Sequence, residues 1–245
     1  MVFKNIDNLP KDIHNVLIPY LEKLTHIYGD NIISIFLYGS AATREYNPKY
    51  SDINIAIVVK DSSIRELKSG VKIIKDGMRK KISVPLFLTY SYIEMSLDTF
   101  PMEFMMMKDS YILLFGQDLL ADININFENL RRECEYQIKG KLIMLRQAYL
   151  EAAMNYKALK QLIALSIKAL LPIFQNLLRI KKGVLPRLDK IGVLNEIGIE
   201  FNMDVSCFIE AFNGIKTNSF SKTPEVFIEC FLTRLEILSK IVDEI

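Results

Sequence analysis

In the first half of the chain the apolar positions switch between two periods. Asn8-Leu9-Pro10 opens a helix with proline in its first turn, and Ile13, Val16, Leu17, Leu21 and Leu24 recur on one face until Tyr28-Gly29-Asp30. Ile32 to Leu37 is then an unbroken apolar run, stopped by Tyr38-Gly39-Ser40. A second run, Ile53 to Val59, lies between Asn47-Pro48 and Lys60-Asp61-Ser62. Runs of this length between turn residues predict strands. Ser63 to Lys80 predicts a helix carrying much positive charge, and Ile82 to Tyr90 a third strand. Pro85 sits inside that strand and removes a ladder donor, which places it at a sheet edge or at a bulge. Helices alternating with strands give this half a mixed α/β class.

From Phe127 onward the pattern is helical almost to the end. Leu130, Cys134, Ile138, Leu142, Leu145, Tyr149 and Ala152 recur at three and four residues, one stripe of a long helix. Leu159 to Ile180 predicts a second helix, with Pro172 as the place for a bend. Lys181-Lys182-Gly183 puts basic residues in a last turn before a glycine, a stop signal. Arg187 to Ile197, Ser206 to Phe212 and Pro224 to Val242 predict three more helices, a set that packs as a bundle. The change of grammar puts the boundary near Ala121 to Asn126.

Composition narrows the classes. Lys and Arg total 31 against 29 Asp and Glu, a balance that argues against a protein coating DNA through massed positive charge. Nucleic acid is therefore not an expected partner. Cys134, Cys207 and Cys230 are widely spaced, with no CxxC, and His14 and His26 are the only histidines. A zinc site or disulfide frame is not expected, and the cysteines read as core residues of a reduced, cytoplasmic protein. Residues 1–10 are too polar for a signal peptide. The most apolar stretch, Gln161 to Leu178, is interrupted by Lys168, Pro172, Gln175 and Asn176, so it reads as a buried helix and no membrane partner is expected.

The informative chemistry is Gly39-Ser40, eleven residues, then Asp52-Ile53-Asn54. A strand that ends in Gly-Ser and enters a helix presents backbone N–H groups at the helix start. Glycine lets a phosphate approach, the serine hydroxyl adds a donor, and the helix dipole favours the anion. Ala41 to Tyr46 suits that short helix. On the next strand Asp52 and Asn54 emerge on one face, while Ile53, Ile55 and Ile57 point to the core. An oxygen pair opposite a phosphate cradle suits Mg²⁺ shared between a carboxylate and substrate phosphates.

This pattern resembles the polymerase-β-type nucleotidyltransferase superfamily. The resemblance covers Ile32 to Tyr90 and, more loosely, the stretch to Asp118, where an apolar run ends in Gly116-Gln117-Asp118. The helical half resembles the accessory bundles, HEPN-like ones included, that follow such domains. The resemblance implies an α/β nucleotidyltransferase-like domain with a mixed sheet over residues 1–122 and a helical bundle over 123–245. It implies Asp52 and Asn54 as catalytic and metal positions, and Gly39, Ser40, Arg44 and Ser51 as nucleotide-binding ones.

The departures carry equal weight. The family holds two Mg²⁺ with three carboxylates. Asp52 matches the first, but Asn54 stands where the second belongs, and an amide supplies neither formal charge nor a base. The third should lie on the face shared by Ser83, Pro85 and Phe87, none of them acidic. Glu94 and Asp98 follow the strand and would need an unusual loop to reach back. Two divalent ions ~4 Å apart need a ring of negative ligands, so the expectation is a catalytically impaired protein with weak Mg²⁺ and nucleotide binding. The alternatives are an active enzyme moving a nucleoside monophosphate to a hydroxyl, and an interaction module of a toxin–antitoxin-like pair. A protein partner or homo-oligomer would then use the helical half. That half lacks the Arg-x4-His ribonuclease motif, since no histidine follows His26.

Other residues carry blander readings. Lys49 and the run Lys72, Lys75, Arg79, Lys80 and Lys81 could steer an anion, though a solvated helix face explains the run as well. Met102, Met105, Met106 and Met107 read as core filling, and Tyr149, Tyr156 and Lys160 as packing.

Overall fold

The computed structural model describes residues 2–43, 46–49, 51–152 and 155–245. The chain divides into two compact units, Met1–Ile125 and Asn126–Ile245.

The first unit begins with α1 (Lys11–Tyr28), which starts after Pro10 and ends at Gly29, whose φ of 46° breaks the helix. Its buried face includes Ile13, Leu17, Leu21 and Leu24, as the spacing predicts. Four strands follow: β1 (Ile32–Tyr38), β2 (Asn54–Val59), β3 (Leu86–Leu88) and β4 (Tyr111–Gly116). They form a mixed sheet in the order β3-β2-β1-β4. β1 is antiparallel to both β2 and β4, and β3 runs parallel to β2. Ile35 and Leu37 of β1 join Ile53, Ile55 and Ile57 in the same core as the apolar face of α1.

Several elements are shorter than the pattern suggests, each for a tertiary reason. The helix over 63–80 is two, α2 (Ile64–Ser69) and α3 (Val71–Met78), broken at Gly70. The side chain of Tyr28 lies against Gly70, where a Cβ would come within 2.2 Å of its hydroxyl, and that hydroxyl donates to the Leu67 carbonyl at 3.3 Å, so the break falls at a residue that must be glycine. The third strand keeps its edge position, next to Pro85, but contracts to three residues. Ile82 makes only an isolated bridge to Ile53, and Tyr90 opens α4 (Tyr90–Ser96), capped by the Thr89 hydroxyl. α5 (Pro101–Asp109) buries Met102, Met105 and Met107 and leaves Met106 exposed.

The second unit consists of α6 (Phe127–Glu151), α7 (Tyr156–Lys182), α8 (Lys190–Glu200), α9 (Ser206–Thr217) and α10 (Pro224–Asp243). The stripe on α6 is buried at Leu130, Cys134, Ile138, Leu142 and Leu145. α7 is capped by Asn155, whose Oδ1 accepts from the Lys157 and Ala158 N–H groups, and ends at Gly183 in the left-handed region at φ 72°. By length and composition α7 could cross a membrane, but Ile163, Ile167, Phe174 and Leu177 are buried within the unit. Lys160 sits over the Tyr156 ring at 4.8 Å and the Phe220 ring at 5.3 Å, a packing role.

The cysteines depart from expectation. Cys207 on α9 and Cys230 on α10 are joined in a disulfide, and Cys134 is a buried thiol outside that bond. Their Cα atoms lie 6.5 Å apart, within disulfide reach, because the two helices pack around Phe208 and Phe231, whose ring centroids are 4.7 Å apart. A separation of 23 residues gives no local sign of that pairing.

Candidate functional site

β1 delivers Tyr38 between two partners, Asn54 on β2 and Tyr111 on β4. The chain then turns at Gly39, whose φ is 72°. A Cβ at this position would lie 3.3 Å from Asn54 Nδ2. The backbone angle favours glycine here, and the amide beside it would have to give by a few tenths of an ångström to admit a Cβ. The Gly39 N–H donates to the Ser110 carbonyl at 3.2 Å.

The short helix expected over 41–46 begins as a 3₁₀ turn, Gly39–Ala42, and residues 44 and 45 of that range lie outside the described residues. The Ser40 carbonyl accepts from both the N–H and the hydroxyl of Thr43, each at 3.1 Å, which closes the turn early. Ala41 is buried in the core and Ser40 is half-buried. Arg44 lies outside the described residues.

Asp52 precedes β2 instead of lying within it, and its side chain is exposed. The reason is the neighbouring segment. The Ile53 N–H donates to the Lys81 carbonyl at 2.8 Å, and the Ser83 N–H donates to the Ile53 carbonyl at 3.0 Å, so pairing at this end is a single bridge. Burial first, and then the charges of Asp12 and Asp52, raise the Tyr46 phenol above its usual range, which puts both carboxylates within electrostatic reach of that ring.

Asn54 is the residue the structure ties down. Its Oδ1 accepts from the Ser83 hydroxyl at 2.9 Å, while its Nδ2 faces Gly39. Ser83 Oγ also lies 3.2 Å from the Ile53 carbonyl. Ser51 closes the loop before β2: its hydroxyl accepts from the Asn47 N–H at 3.2 Å and its own N–H donates to the Asn47 carbonyl at 2.8 Å. Lys81, at φ 62°, seals the same loop by donating to the carbonyls of Pro48 (2.7 Å) and Lys49 (3.1 Å). Gly39 and Asn54 are thus brought together, and Ser51 serves the loop.

These residues do not fit a pair of divalent ions. Asp52 is the one carboxylate of the Asp-x-Asn pair, and the face of Ser83, Pro85 and Phe87 is neutral. Among the described residues no group of three or more His, Cys, Asp or Glu side chains could hold a metal. Glu94 bonds to Tyr90 and raises its phenol, and Asp98 accepts from the Thr99 hydroxyl at 3.1 Å.

Two features escaped the sequence reading. Ser83 was on the named face, but only its lack of charge was weighed, and a hydroxyl one bond from an amide oxygen is its own signal. Tyr111 donates to Asp118 Oδ1 at 2.8 Å, and burial followed by that carboxylate pushes its phenol up to about 12. The Asp118 of the Gly-x-Asp ending therefore anchors β4 to the segment after it.

Neither a protein-family model nor a curated protein sequence matches the chain. Among solved structures, the crystal structure of spectinomycin adenyltransferase from Enterococcus faecialis, with ATP and spectinomycin, aligns with a TM-score of 0.54 at 11% identity. The match covers 89% of this chain and 98% of that one. The chain shares the fold of that structure. At this identity the likeness speaks for the fold, a mixed sheet with a helical part after it, and the chemistry has to come from the residues. In this fold as the chain builds it, the turn after β1 and the start of β2 are present, with an amide and a hydroxyl bonded to each other where the resemblance expects acids.

Proposed function

We propose that this is a nucleotidyltransferase-like protein, impaired in catalysis, that binds a nucleotide or another phosphate ligand weakly at Gly39-Ser40. The carrying observation is the Ser83–Asn54 hydrogen bond of 2.9 Å. It supports the reading because an amide oxygen already held by a hydroxyl is a poorer metal ligand than a free carboxylate, and it brings no charge. Magnesium supplies charge neutralisation of a triphosphate where it is bound. In this chain Asp52 alone contributes a negative ligand, enough for at most one weakly held ion. The Ser40 hydroxyl and the glycine-lined turn are the groups that would face a phosphate.

A second reading has a specific observation behind it. The neighbour named with ATP and spectinomycin aligns over 89% of this chain, so both halves follow a protein that holds a nucleotide and a small acceptor. On that reading the chain transfers a nucleoside monophosphate to a hydroxyl, with Asp52 as the essential acid. Incubation with labelled nucleoside triphosphates, Mg²⁺ and hydroxyl acceptors, spectinomycin among them, separates the two. The impaired reading predicts labelling no higher than in Asp52→Ala, and none gained in Asn54→Asp. Labelling by the wild-type chain that disappears in Asp52→Ala would establish the second reading instead.

A further inference from the structure

A groove of about 350 Å³ runs between α1 and α3 and shares no residue with the Gly39–Asn54 turn. Lys23 of α1, Lys72 of α3 and Lys80 just beyond it lie along it. Among the described residues none of these ammonium groups forms an ion pair. The one carboxylate in the lining, Asp76, is bonded to Arg79 at 3.2 Å, and the Ser69 hydroxyl donates to the Glu66 carbonyl at 2.6 Å. The groove's available charge is therefore positive.

Its walls are apolar. Pro19, Ile27 and Ile73 line it with the ring of Tyr20. Tyr20 packs so closely on α3 that a Cβ at Gly77 would lie 2.6 Å from its Cε2. The Tyr20 side chain is 6% exposed, and its hydroxyl is enclosed beneath the groove, out of a ligand's reach, with no hydrogen-bond partner among the described residues. A buried donor without an acceptor is costly and uncommon.

We propose that this groove binds a small dianion with an apolar body, the chemistry of an aryl or alkyl phosphate monoester. Three like charges held around an apolar trough repel one another until an anion joins them, and the low-dielectric walls strengthen that attraction. The ester's carbon part covers Pro19, Ile27 and Ile73, and its oxygens meet the lysines. A polyanion fits less well, because the chain carries a net charge of only +2 and the basic residues close round one short trough.

The test is calorimetric titration of the full chain with phenyl phosphate, inorganic phosphate, benzyl alcohol and a single-stranded oligonucleotide. Phenyl phosphate should bind most tightly. The triple change Lys23→Gln, Lys72→Gln and Lys80→Gln, all at exposed positions, should weaken it about tenfold or more without altering the melting temperature. Asp52→Ala should leave it unchanged, which separates this groove from the nucleotide site. The proposal is overturned if phenyl phosphate gives no binding, if benzyl alcohol binds as well, if the oligonucleotide binds in preference, if the triple variant binds like wild type, or if Asp52→Ala abolishes the signal.

Discussion

The Gly39–Asn54 turn and the α1–α3 groove belong to the same unit and treat their polar groups in opposite ways. At the turn the Gly39 N–H, Ser51, Asn54 and Ser83 all have protein partners. In the groove the three lysine ammonium groups have no ion pair among the described residues. A protein that binds a ligand must keep donors or charges ready for it, while groups that have left such a role settle onto each other. The contrast separates two questions that a fold comparison merges. The fold says where a ligand site is to be sought, and the bonding state of the side chains is what the proposals made for the turn and the groove rest on.

The largest perturbation should strike both regions together. Ile57 is fully buried in the core that carries β2 and α1, and Ile57→Ala should cost about 2–5 kcal/mol. Denaturant unfolding would measure the loss, and nucleotide and phenyl phosphate binding should weaken in step. Unequal weakening would show that the two regions do not share that support.

Gly39→Ala should be more selective. The left-handed angle alone costs about 1–2 kcal/mol for a residue with a Cβ, and that Cβ would press on Asn54. Nucleotide binding should fall while phenyl phosphate binding holds. Ser83→Ala is milder, with about 1 kcal/mol of stability lost with the hydrogen bond to Asn54. Combined with Asn54→Asp it should tighten Mg²⁺ binding, read by calorimetry, and still yield no transfer.

The smallest effect is electrostatic. Tyr46 is raised by burial, then by Asp12 and Asp52. A phenol held above its unfolded value near ~10 adds stability that is complete below that pH and is lost as pH rises through the folded value. Asp52→Asn removes one of the raising charges, so Tyr46 should ionise at lower pH in an ultraviolet tyrosinate titration. No change would mean that Asp52 points away from the turn.

Much of the architecture was legible because it is local. The face of α1, the strands β1 and β2, the edge placement at Pro85 and the stop at Gly183 follow from period, proline and glycine. What was hidden came from residues distant in sequence. Tyr28 packs on Gly70 at the break between α2 and α3, Lys81 and Ser83 shorten β2 at Asp52, and the pairing of Cys207 with Cys230 depends on how α9 and α10 pack. At the site, the residue types at 39, 40, 52 and 54 could be read, but their bonding could not. Whether Asn54 faces a ligand or a serine is decided by where residue 83 is carried, and no spacing rule states that.

The most direct test of the proposed impairment is calorimetric titration of the protein with ATP, GTP, CTP and UTP, each with and without Mg²⁺. A site with one carboxylate and a hydroxyl-bound amide predicts weak binding that Mg²⁺ barely strengthens. Tight binding that requires Mg²⁺ and vanishes in Asp52→Ala would contradict that account and mark a working metal centre.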